Sequence, residues 1–270
     1  MTLVSKETLE VKRRWPLQKV QHIIYPLYFP VSILVLWQLA GTFGLVEEHI
    51  LPTPLKIAST FWILLANGEL PVHFLASGQR VVFGFLLGAL TAIILGIATG
   101  FSKIAQQLID PSLQMLRTVP LLSLIPLFIL WFGVGEFGKV LMIALGAFFP
   151  VYVNIFLGIR LVDQKLYDVT GILQYSFKEK LTKLIFPSAM PNLLLGLRLA
   201  MGTSWLVLVV SEMMGASAGI GYMIQDARAY SQTDIVFVGL ILFIILGKFT
   251  DSLVGSIEKR ALKWRDTYKG

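Results

Sequence analysis

Six long apolar stretches constrain the fold of this chain more than any other feature of its sequence. They cover residues 24–46, 81–101, 113–131, 140–161, 192–214 and 235–257. A helix needs about 20 mostly apolar residues to cross the hydrocarbon core of a bilayer. The chain is 56% hydrophobic and 14% charged, whereas soluble domains carry about 25% charged residues. The sequence therefore predicts an all-α integral membrane protein with six transmembrane helices.

Prolines and glycines inside two of these stretches predict how their helices bend and pack. In the third stretch the clean apolar run, residues 119–131, is too short to span alone. Pro120 and Pro126 should kink or break that helix, because proline cannot donate a backbone hydrogen bond. Residues 102–112 are predicted to be a polar link. The glycines of the second stretch form two GxxxG spacings, which let helices approach closely: Gly84, Gly88, Gly96 and Gly100.

The basic residues are distributed unevenly along the chain, whose net charge is +7. With an internal N-terminus and six alternating spans, the outer segments hold only Lys56, Arg80, Lys139 and Arg228. Loops on the cytoplasmic side carry an excess of Lys and Arg. We therefore expect a multi-pass protein with cytoplasmic tails at 1–23 and 258–270 and a spanning domain at 24–257. The same bias explains the net charge without a nucleic-acid partner.

The sequence contains no recognisable catalytic, cofactor or metal motif. It has no cysteine, no GxxxxGK[ST] phosphate-binding loop and no HExxH zinc motif. We expect no enzyme activity, so any ATP that drives transport must be hydrolysed by another polypeptide. The alternative is a secondary transporter driven by an ion gradient. Broken helices are typical of that class, but Asp and Glu are missing from the middle of every predicted span.

The longest polar interval between two apolar stretches is residues 160–191, which we call the central loop. Its apolar residues recur every three or four positions, the spacing of one helical face: Leu166, Val169, Leu173, Phe177, Leu181 and Leu184. The charge distribution places this loop in the cytoplasm. No other soluble part of the chain is large enough to cover the apolar face, so the pattern favours a partner protein.

The central loop resembles the "EAA" loop of ABC importer membrane subunits. Asp168 falls at the Glu position of that motif, and Phe186-Pro187 form its apolar-Pro end. The Gly position holds Gln174, and Gly171 could supply the turn instead. In that family a short helix of the loop docks into a cleft on the ATPase. The resemblance implies such a helix near residues 172–180 and the following docking residues: Asp168, Gly171, Gln174, Tyr175, Phe177, Lys178 and Pro187.

Segments outside the loop resemble the nitrate/sulfonate/taurine family of these permeases, and among them the aliphatic sulfonate permeases most. The similar segments are ILPTP at 50–54, LRTVPLLSLIPLFILWFGVG at 116–135, GLRLAMGTSWLVLVVSE at 196–212 and SAGIGYMI at 217–224. The resemblance implies a type I ABC importer fold in a bacterial inner membrane. It also implies a second permease copy, an ABC ATPase dimer, and a periplasmic or lipid-anchored solute-binding protein. The expected solute is a small anion such as a sulfonate, taurine or nitrate.

Polar residues within the spans are candidates for the translocation path. We select Ser123, Asn154, Ser204 and Glu212; hydrogen bonding between helices is the alternative for Asn154 and Ser204. For Glu212, a structural partner or a gate contact is equally compatible with its position. Arg198 is expected to extend towards the cytoplasm, and Lys248 to pair with Asp251, three residues further along one helix. Residues 215–234 are expected to form a loop that shapes the outer gate.

Overall fold

The structure of the chain is a computed structural model that describes Tyr25 and residues 28–264, without the side chain of Phe177. Every regular element in this part of the chain is helical. In order they are α1 Tyr28–Thr42, α2 Pro54–Ala66, α3 Glu69–Phe101, α4 Lys103–Thr118, a 3₁₀ turn Leu121–Leu124, α5 Ile125–Phe132, α6 Glu136–Arg160, α7 Gln164–Ile172, α8 Phe177–Glu179, a π-helical stretch Lys180–Ile185, α9 Phe186–Met213, α10 Ile220–Ala229 and α11 Thr233–Ala261.

Helix α6 lies at the centre of the fold, between α3 and α9, with which it makes its most extensive contacts. The backbones approach closely on both sides. A Cβ atom added at Gly88 of α3 would meet the carbonyl of Ala144 in α6. A Cβ atom added at Gly196 of α9 would lie 3.1 Å from the carbonyl oxygen of Pro150. The predicted close approach at the GxxxG glycines of the second stretch is confirmed.

A stack of aromatic rings is buried in the core along α6. The rings of Phe148, Tyr152 and Phe156 stack in sequence along one side of the helix, with centroids 5.7 and 6.1 Å apart. Tyr152 is only 1% exposed, and its hydroxyl donates a 2.8 Å hydrogen bond to Asp110 of α4. A buried tyrosine normally needs such a partner for its hydroxyl. This hydrogen bond therefore ties α4 to the core, although α4 buries no residue completely.

The third predicted span is broken where its prolines predicted a break. The axis turns by 89° between Lys103–Thr118 and Leu121–Phe132. Pro120 lies in the break with extended backbone, whereas Pro126 lies in the first turn of α5, where its missing amide hydrogen is tolerated. The expectation that Pro126 also interrupts the helix was wrong. The predicted polar link at 102–112 was wrong as well, because those residues belong mostly to α4.

The membrane-crossing helices agree with the predicted class. Within the described ranges, four helices are long and apolar enough to span, and the bent pair would make a fifth. They are Glu69–Phe101, Glu136–Arg160, Lys180–Met213 and Thr233–Ala261. The first predicted span falls on α1, and its residues 24, 26 and 27 lie outside the described part. The count of six therefore stays a prediction, as do the cytoplasmic tails at 1–23 and 258–270, of which the structure describes only residues 258–264.

Two predicted outer segments are more helical than the sequence suggested. Residues 47–80, between the first two predicted spans, contain α2 and the first turns of α3. The helix of the second span therefore begins at Glu69 rather than at residue 81. The side chain of Thr53 accepts a 3.3 Å hydrogen bond from the amide of Lys56 and caps α2, and Pro54 follows in its first turn. The 215–234 segment contains α10, whose residues Ile220, Met223 and Ile224 are buried.

Candidate functional site

The central loop forms a helix, a tight turn and a second helix rather than one continuous helix. Asp163 caps α7 by accepting a hydrogen bond from the amide of Lys165 at 2.9 Å. The chain resumes helical structure at Phe177 and continues through the π-helical stretch into α9. The predicted short helix near residues 172–180 was therefore wrong, since the loop helix is Gln164–Ile172. Residues 173–176 form the turn that separates the two helices.

The turn after α7 is a Schellman motif that has glutamine where glycine is usual. Gln174 has φ +53°, in the left-handed region that L-residues rarely adopt. The amide of Tyr175 bonds to the carbonyl of Thr170 at 3.0 Å, and that of Gln174 to the carbonyl of Gly171 at 3.1 Å. This pair of bonds defines the motif. Gly171 itself stays helical within α7. The expectation that Gly171 would supply the turn in place of a glycine at position 174 was therefore wrong.

A capping box starts the helix that follows the turn. The side chain of Glu179 accepts hydrogen bonds from the Ser176 amide at 3.0 Å and the Ser176 hydroxyl at 2.9 Å. The Ser176 hydroxyl in turn accepts a longer bond from the Glu179 amide at 3.4 Å. These reciprocal bonds satisfy backbone donors that a helix start leaves unpaired.

A lysine strengthens this helix start. The ammonium group of Lys183 lies 2.9 Å from Glu179 and 4.8 Å from the centre of the Tyr175 ring. The hydrogen bond from Lys183, followed by those from Ser176, lowers the pKa of Glu179 to about 2. The capping carboxylate therefore stays charged at physiological pH, and the hydrogen bonds and ion pair described here all come from the same short segment of the loop.

The predicted apolar face of the loop divides into an exposed and a covered part. Leu166, Val169 and Leu173 are about half exposed, and the neighbouring Ile172 is 82% exposed. Leu184 is buried against Ile155, Ile159 and Ala189. The interpretation of one continuous uncovered stripe was therefore wrong, since its C-terminal part packs on the protein's own core. The exposed apolar surface belongs to α7 and the turn.

The other predicted docking residues lie close to this surface. Asp168 and Lys178 are exposed, and Pro187 is half-buried in the first turn of α9. The side chain of Phe177 lies outside the described part of the chain. The predicted docking residues thus occupy α7, the turn and the start of the next helix, all at the C-terminal end of α6.

A buried charged cluster lies at the opposite end of α6, and its centre is Arg80. The Arg80 guanidinium contacts Glu212 at 2.7 Å and both carboxylate oxygens of Glu136 at 2.6 and 2.7 Å. It also donates a 2.6 Å hydrogen bond to the carbonyl of Ala218. The Ser77 hydroxyl lies 2.8 Å from Glu212. We call Ser77, Arg80, Glu136 and Glu212 the Arg80 cluster.

Helix α10 begins on this cluster. The amide of Gly221 donates to Glu212 at 2.8 Å, and that of Ile220 donates to the Ser77 hydroxyl at 2.8 Å. A carboxylate at a helix N-terminus satisfies free amides and interacts favourably with the helix dipole. Gly219 precedes the helix at φ +129°, and a Cβ atom there would meet the Glu212 carboxylate. The cluster therefore joins α3, α6, α9 and α10 at one point.

Burial distinguishes the members of the Arg80 cluster. The side chain of Glu212 is 0% exposed and that of Arg80 is 6% exposed, whereas that of Glu136 is 61% exposed. A buried ion pair needs good geometry and further hydrogen bonds to offset the desolvation of both charges. Here each buried oxygen of Glu212 has partners, and Arg80 forms a two-pronged contact with Glu136. The arrangement therefore connects helices through buried charges, and only the Glu136 carboxylate is accessible to solvent.

Sequence reasoning selected Glu212 but missed its partners. Arg80 was assigned to an outer segment, yet it lies inside α3, and Lys139, also assigned outside, is buried in α6 and donates to the carbonyl of Val134 at 2.6 Å. The outer location of the two residues stays a prediction, but the sequence did not show that both side chains are buried within helices. The sequence signal that was missed is that mostly apolar residues lie on both sides of Arg80, at 70–77 and from 81 onwards. This pattern indicates one long helix that contains Arg80. A helix beginning at Glu69 would have placed an arginine at membrane depth, where a carboxylate partner is expected.

The four predicted path residues lie in different environments. Ser123 is exposed and its hydroxyl donates to the carbonyl of Pro120 at 2.7 Å. Asn154 is half-buried and donates to the carbonyl of Pro150 at 2.8 Å, whereas the buried Ser204 donates to that of Ala200 at 2.8 Å. Both bonds stay within one helix. Glu212 belongs to the Arg80 cluster, and its hydrogen bonds within the described residues go to Ser77, Arg80 and Gly221.

A second group of charges joins α9 to α11. Arg198 forms a two-pronged contact with Asp251, at 2.6 and 3.0 Å, and lies 3.7 Å from Glu258. The expected ion pair between Lys248 and Asp251 was wrong, because Asp251 faces α9 and takes Arg198 as its partner. No group of three or more potential metal ligands occurs within the described residues.

Comparisons with known proteins agree with this architecture. A family model described as "Binding-protein-dependent transport system inner membrane component" matches residues 84–263. The putative aliphatic sulfonates transport permease protein of Bacillus subtilis (strain 168) is 50% identical, covering 99% of this chain and 97% of the relative. The protein with the same description in Escherichia coli (strain K12) is 40% identical over 94% and 96%. The nitrate import permease protein of Synechococcus elongatus is 32% identical over 89% and 87%.

Proposed function

The chain belongs to the family of binding-protein-dependent transport system inner membrane components, and we propose that it imports an aliphatic sulfonate as the permease subunit of an ABC importer. The single observation that carries the solute assignment is the 50% identity to the Bacillus subtilis relative over nearly the whole of both chains. Relatives named for sulfonates and for nitrate share a small anionic solute class. The ion-gradient-driven alternative has no support among these relatives.

The proposed complex contains two permease copies, two ABC ATPase subunits and an external solute-binding protein. ATP is hydrolysed on the ATPase subunits, because the permease sequence contains no GxxxxGK[ST] loop. The permease itself binds no cofactor and carries out no covalent step. Residues 24–257 form its spanning domain, with cytoplasmic tails at 1–23 and 258–270. Both termini are cytoplasmic, and reporter fusions after Gly68 and at the C-terminus test this orientation.

The docking element for the ATPase is α7 together with the turn at residues 173–176. Its support is the exposed apolar surface formed by Leu166, Val169, Ile172 and Leu173 on a segment fixed by Asp163, the Schellman turn and the capping box. A rigid segment loses little conformational freedom on binding. The remaining contacts come from the motif positions of the central loop: Asp168, Gly171, Gln174, Tyr175, Phe177, Lys178 and Pro187.

Substitution of Ile172 and of Phe177 tests this docking element. Burying one large apolar side chain contributes roughly 1.5–3 kcal/mol, so Ile172→Glu should weaken ATPase binding by about ten- to a hundredfold. We expect Phe177→Glu to have a similar effect. Ile172→Leu keeps the apolar contact and is the matched control. The measurement is copurification of the ATPase together with ATP-dependent uptake; normal binding by both glutamate variants would exclude this surface.

The outer face of the permease is proposed to contact the binding protein through α10 and the loop before it. Ser217 and Gln225 are exposed there, while the inner side of α10 is packed against the protein. The chain has no native cysteine, so single cysteines at these two positions can be crosslinked selectively. A crosslink to the binding protein in at least one nucleotide state is expected. Its absence in every state would contradict contact at this face.

The translocation path is proposed to include Ser123, Asn154, Ser204 and Glu212. Ser123 is the best supported of these, because its side chain is exposed next to the break at Pro120. A cysteine at Ser123 should react with a small thiol reagent, and saturating sulfonate should slow that reaction.

Uptake by the reconstituted complex, compared across alkyl sulfonates, taurine and nitrate, tests the solute class. Uptake of nitrate without sulfonate would overturn the proposed substrate.

A further inference from the structure

A charged cleft lies between α9 and the C-terminal half of α11. It has a volume of about 730 Å³. Four basic and two acidic side chains line it: Arg198, Lys248, Lys259 and Lys263, with Asp251 and Glu258. The cleft is therefore net positive. Its position on α11 and α9 places it on the proposed cytoplasmic side of the membrane, and the inference below rests on that orientation.

The acidic residues of the cleft are already occupied by Arg198. Its guanidinium holds Asp251 at 2.6 and 3.0 Å and lies 3.7 Å from Glu258. Lys248, Lys259 and Lys263 are exposed, and none of them forms an ion pair within the described residues. Three cations thus line one cleft without a bound carboxylate, and two of them, Lys259 and Lys263, are only four positions apart on the chain. This surplus suits an anionic group supplied from outside the chain.

An apolar groove continues from this cleft towards the middle of the membrane. Arg198 and Asp251 line both, and the groove has a volume of about 320 Å³. Its walls include Met201, Trp205, Leu206, Phe243 and Ile244. At Gly202 and Gly247 an added Cβ atom would meet nothing within 4 Å, so both glycines leave the groove open.

The length of the groove corresponds to one leaflet. On α9 it runs from Arg198 to Val209, which at 1.5 Å per residue is about 16 Å. Half of the hydrocarbon core of a bilayer is about 15 Å. The groove opens sideways onto the solvent-accessible surface of the chain, where Leu206 and Ile244 are each 70% exposed. A ligand of this site therefore combines an anionic head with an acyl chain of about one leaflet's depth.

We propose that the cleft and groove bind one anionic phospholipid of the cytoplasmic leaflet. The phosphate head contacts Lys259 and Lys263, and one acyl chain lies against Trp205 and Phe243. Basic pockets between transmembrane helices on this side of a membrane recognise anionic headgroups. A small soluble anion would use the cleft alone and leave the groove empty. The bound lipid would hold α11 against α9, since it contacts both helices.

Native mass spectrometry of the purified complex with dioleoyl phosphatidylglycerol and dioleoyl phosphatidylcholine tests the headgroup. We expect a preference for phosphatidylglycerol, and the Lys259→Gln/Lys263→Gln variant should lose about thirtyfold in affinity for it. Lys103→Gln/Arg117→Gln removes the same charge from exposed positions elsewhere and should keep the preference. Equal binding of both lipids by the unaltered complex would overturn the proposal, whether or not the complex transports a sulfonate.

A second variant tests the acyl groove independently of charge. Gly247→Leu places a side chain in open space, so the helix should still fold while the groove is filled. We expect about tenfold weaker binding of dioleoyl phosphatidylglycerol and unchanged, weak binding of dihexanoyl phosphatidylglycerol. Displacement of the long-chain lipid by hexanesulfonate at equal concentration would instead identify a solute site. A disulfide between two copies that carry cysteine at Ile244 would show that a second permease covers the groove. Either result would overturn the proposal.

Discussion

The central loop and the Arg80 cluster both organise helix ends with charged hydrogen bonds, but they do so over different distances. In the loop, Ser176, Glu179 and Lys183 bond across three or four residues, and all are accessible to solvent. In the cluster, Arg80 reaches Glu136, Glu212 and Ala218, up to 138 residues away, and the central charges are buried. Local, hydrated contacts shape a surface, whereas buried, distant ones hold the helices together. Substitutions should therefore have small effects in the loop and large ones in the cluster.

The largest effect is expected from Glu212→Ala. It leaves the buried guanidinium of Arg80 without one partner and removes the acceptor for the Gly221 amide. Breaking a buried ion pair from one side typically costs about 3–5 kcal/mol. We expect that loss in the free energy of unfolding, measured by denaturation in mixed micelles.

An exposed ion pair between α9 and α11 provides the matched control. Asp251→Ala breaks the contact with Arg198, whose side chain is 43% exposed. Exposed pairs contribute about 0–1 kcal/mol. If the two alanine variants lost equal stability, the contrast between buried and exposed charge would be refuted.

A smaller loss is expected when Gly219 is replaced by alanine. The backbone there has φ +129°, and an added Cβ atom would meet the Glu212 carboxylate. Backbone conformations of this kind cost an L-residue about 1–3 kcal/mol.

Gly171→Ala in α7 is the counterpart, because that glycine is helical with open space around it. It should stabilise the loop by about 0.5–1 kcal/mol. Opposite signs in unfolding experiments would support the comparison.

Disruption of the capping box should have a moderate, local effect. Ser176→Ala removes the cap, which is typically worth about 1 kcal/mol, so amides of residues 177–183 should exchange about fivefold faster with deuterium. Exchange in the Arg80 cluster should not change. Faster exchange throughout the protein would show that the loop is coupled to the core.

The same capping box predicts a pH dependence. The pKa of Glu179 is lowered from its ordinary value of 4.5 to about 2 by Lys183 and Ser176. A lowered pKa means that the carboxylate contributes its full stability above the ordinary value and loses it as pH falls through about 2. Local protection of the loop, corrected for intrinsic exchange, should therefore be constant from about pH 5 to 8 and fall at about pH 3. Glu179→Gln should remove this dependence.

The smallest effect is expected from Gln174→Gly. The left-handed conformation costs an L-residue about 1–2 kcal/mol, and the greater chain entropy of glycine offsets about 0.5–1 kcal/mol of the gain. The net stabilisation of the turn should be about 0.5 kcal/mol, visible as roughly twofold slower exchange at Tyr175. Gln174→Ala keeps the Cβ atom and should give no gain. An equal gain from alanine would exclude backbone strain as the cause.

The features that the sequence predicted correctly depend on short stretches of chain. Apolar length indicated the membrane helices, the spacing of Gly84 and Gly88 indicated a close helix contact, and Pro120 indicated the break. The family resemblance also located the loop. All of these signals lie within about twenty residues, the length of one membrane-spanning helix.

The features that were missed depend on distant pairing or on local conformation under strain. Nothing near Arg80 in sequence shows that Glu136 and Glu212 converge on it, because only the packing of α3, α6 and α9 brings them together. At Gln174 the residue type argued against a left-handed turn, yet the hydrogen bonds of Thr170 and Gly171 impose one. Tertiary packing decided the first case, and local backbone hydrogen bonds decided the second.

The glycine contacts on both sides of α6 have a mechanical consequence. Where backbones touch at Gly88 and Gly196, there are no intervening side chains to rearrange, and packed interiors transmit strain rather than absorb it. Helices α3, α6 and α9 should then move as one stiff lever. Helix α6 has 25 residues and is about 37 Å long, so tilting the lever by about 5° around the Arg80 end displaces the central loop by about 3 Å.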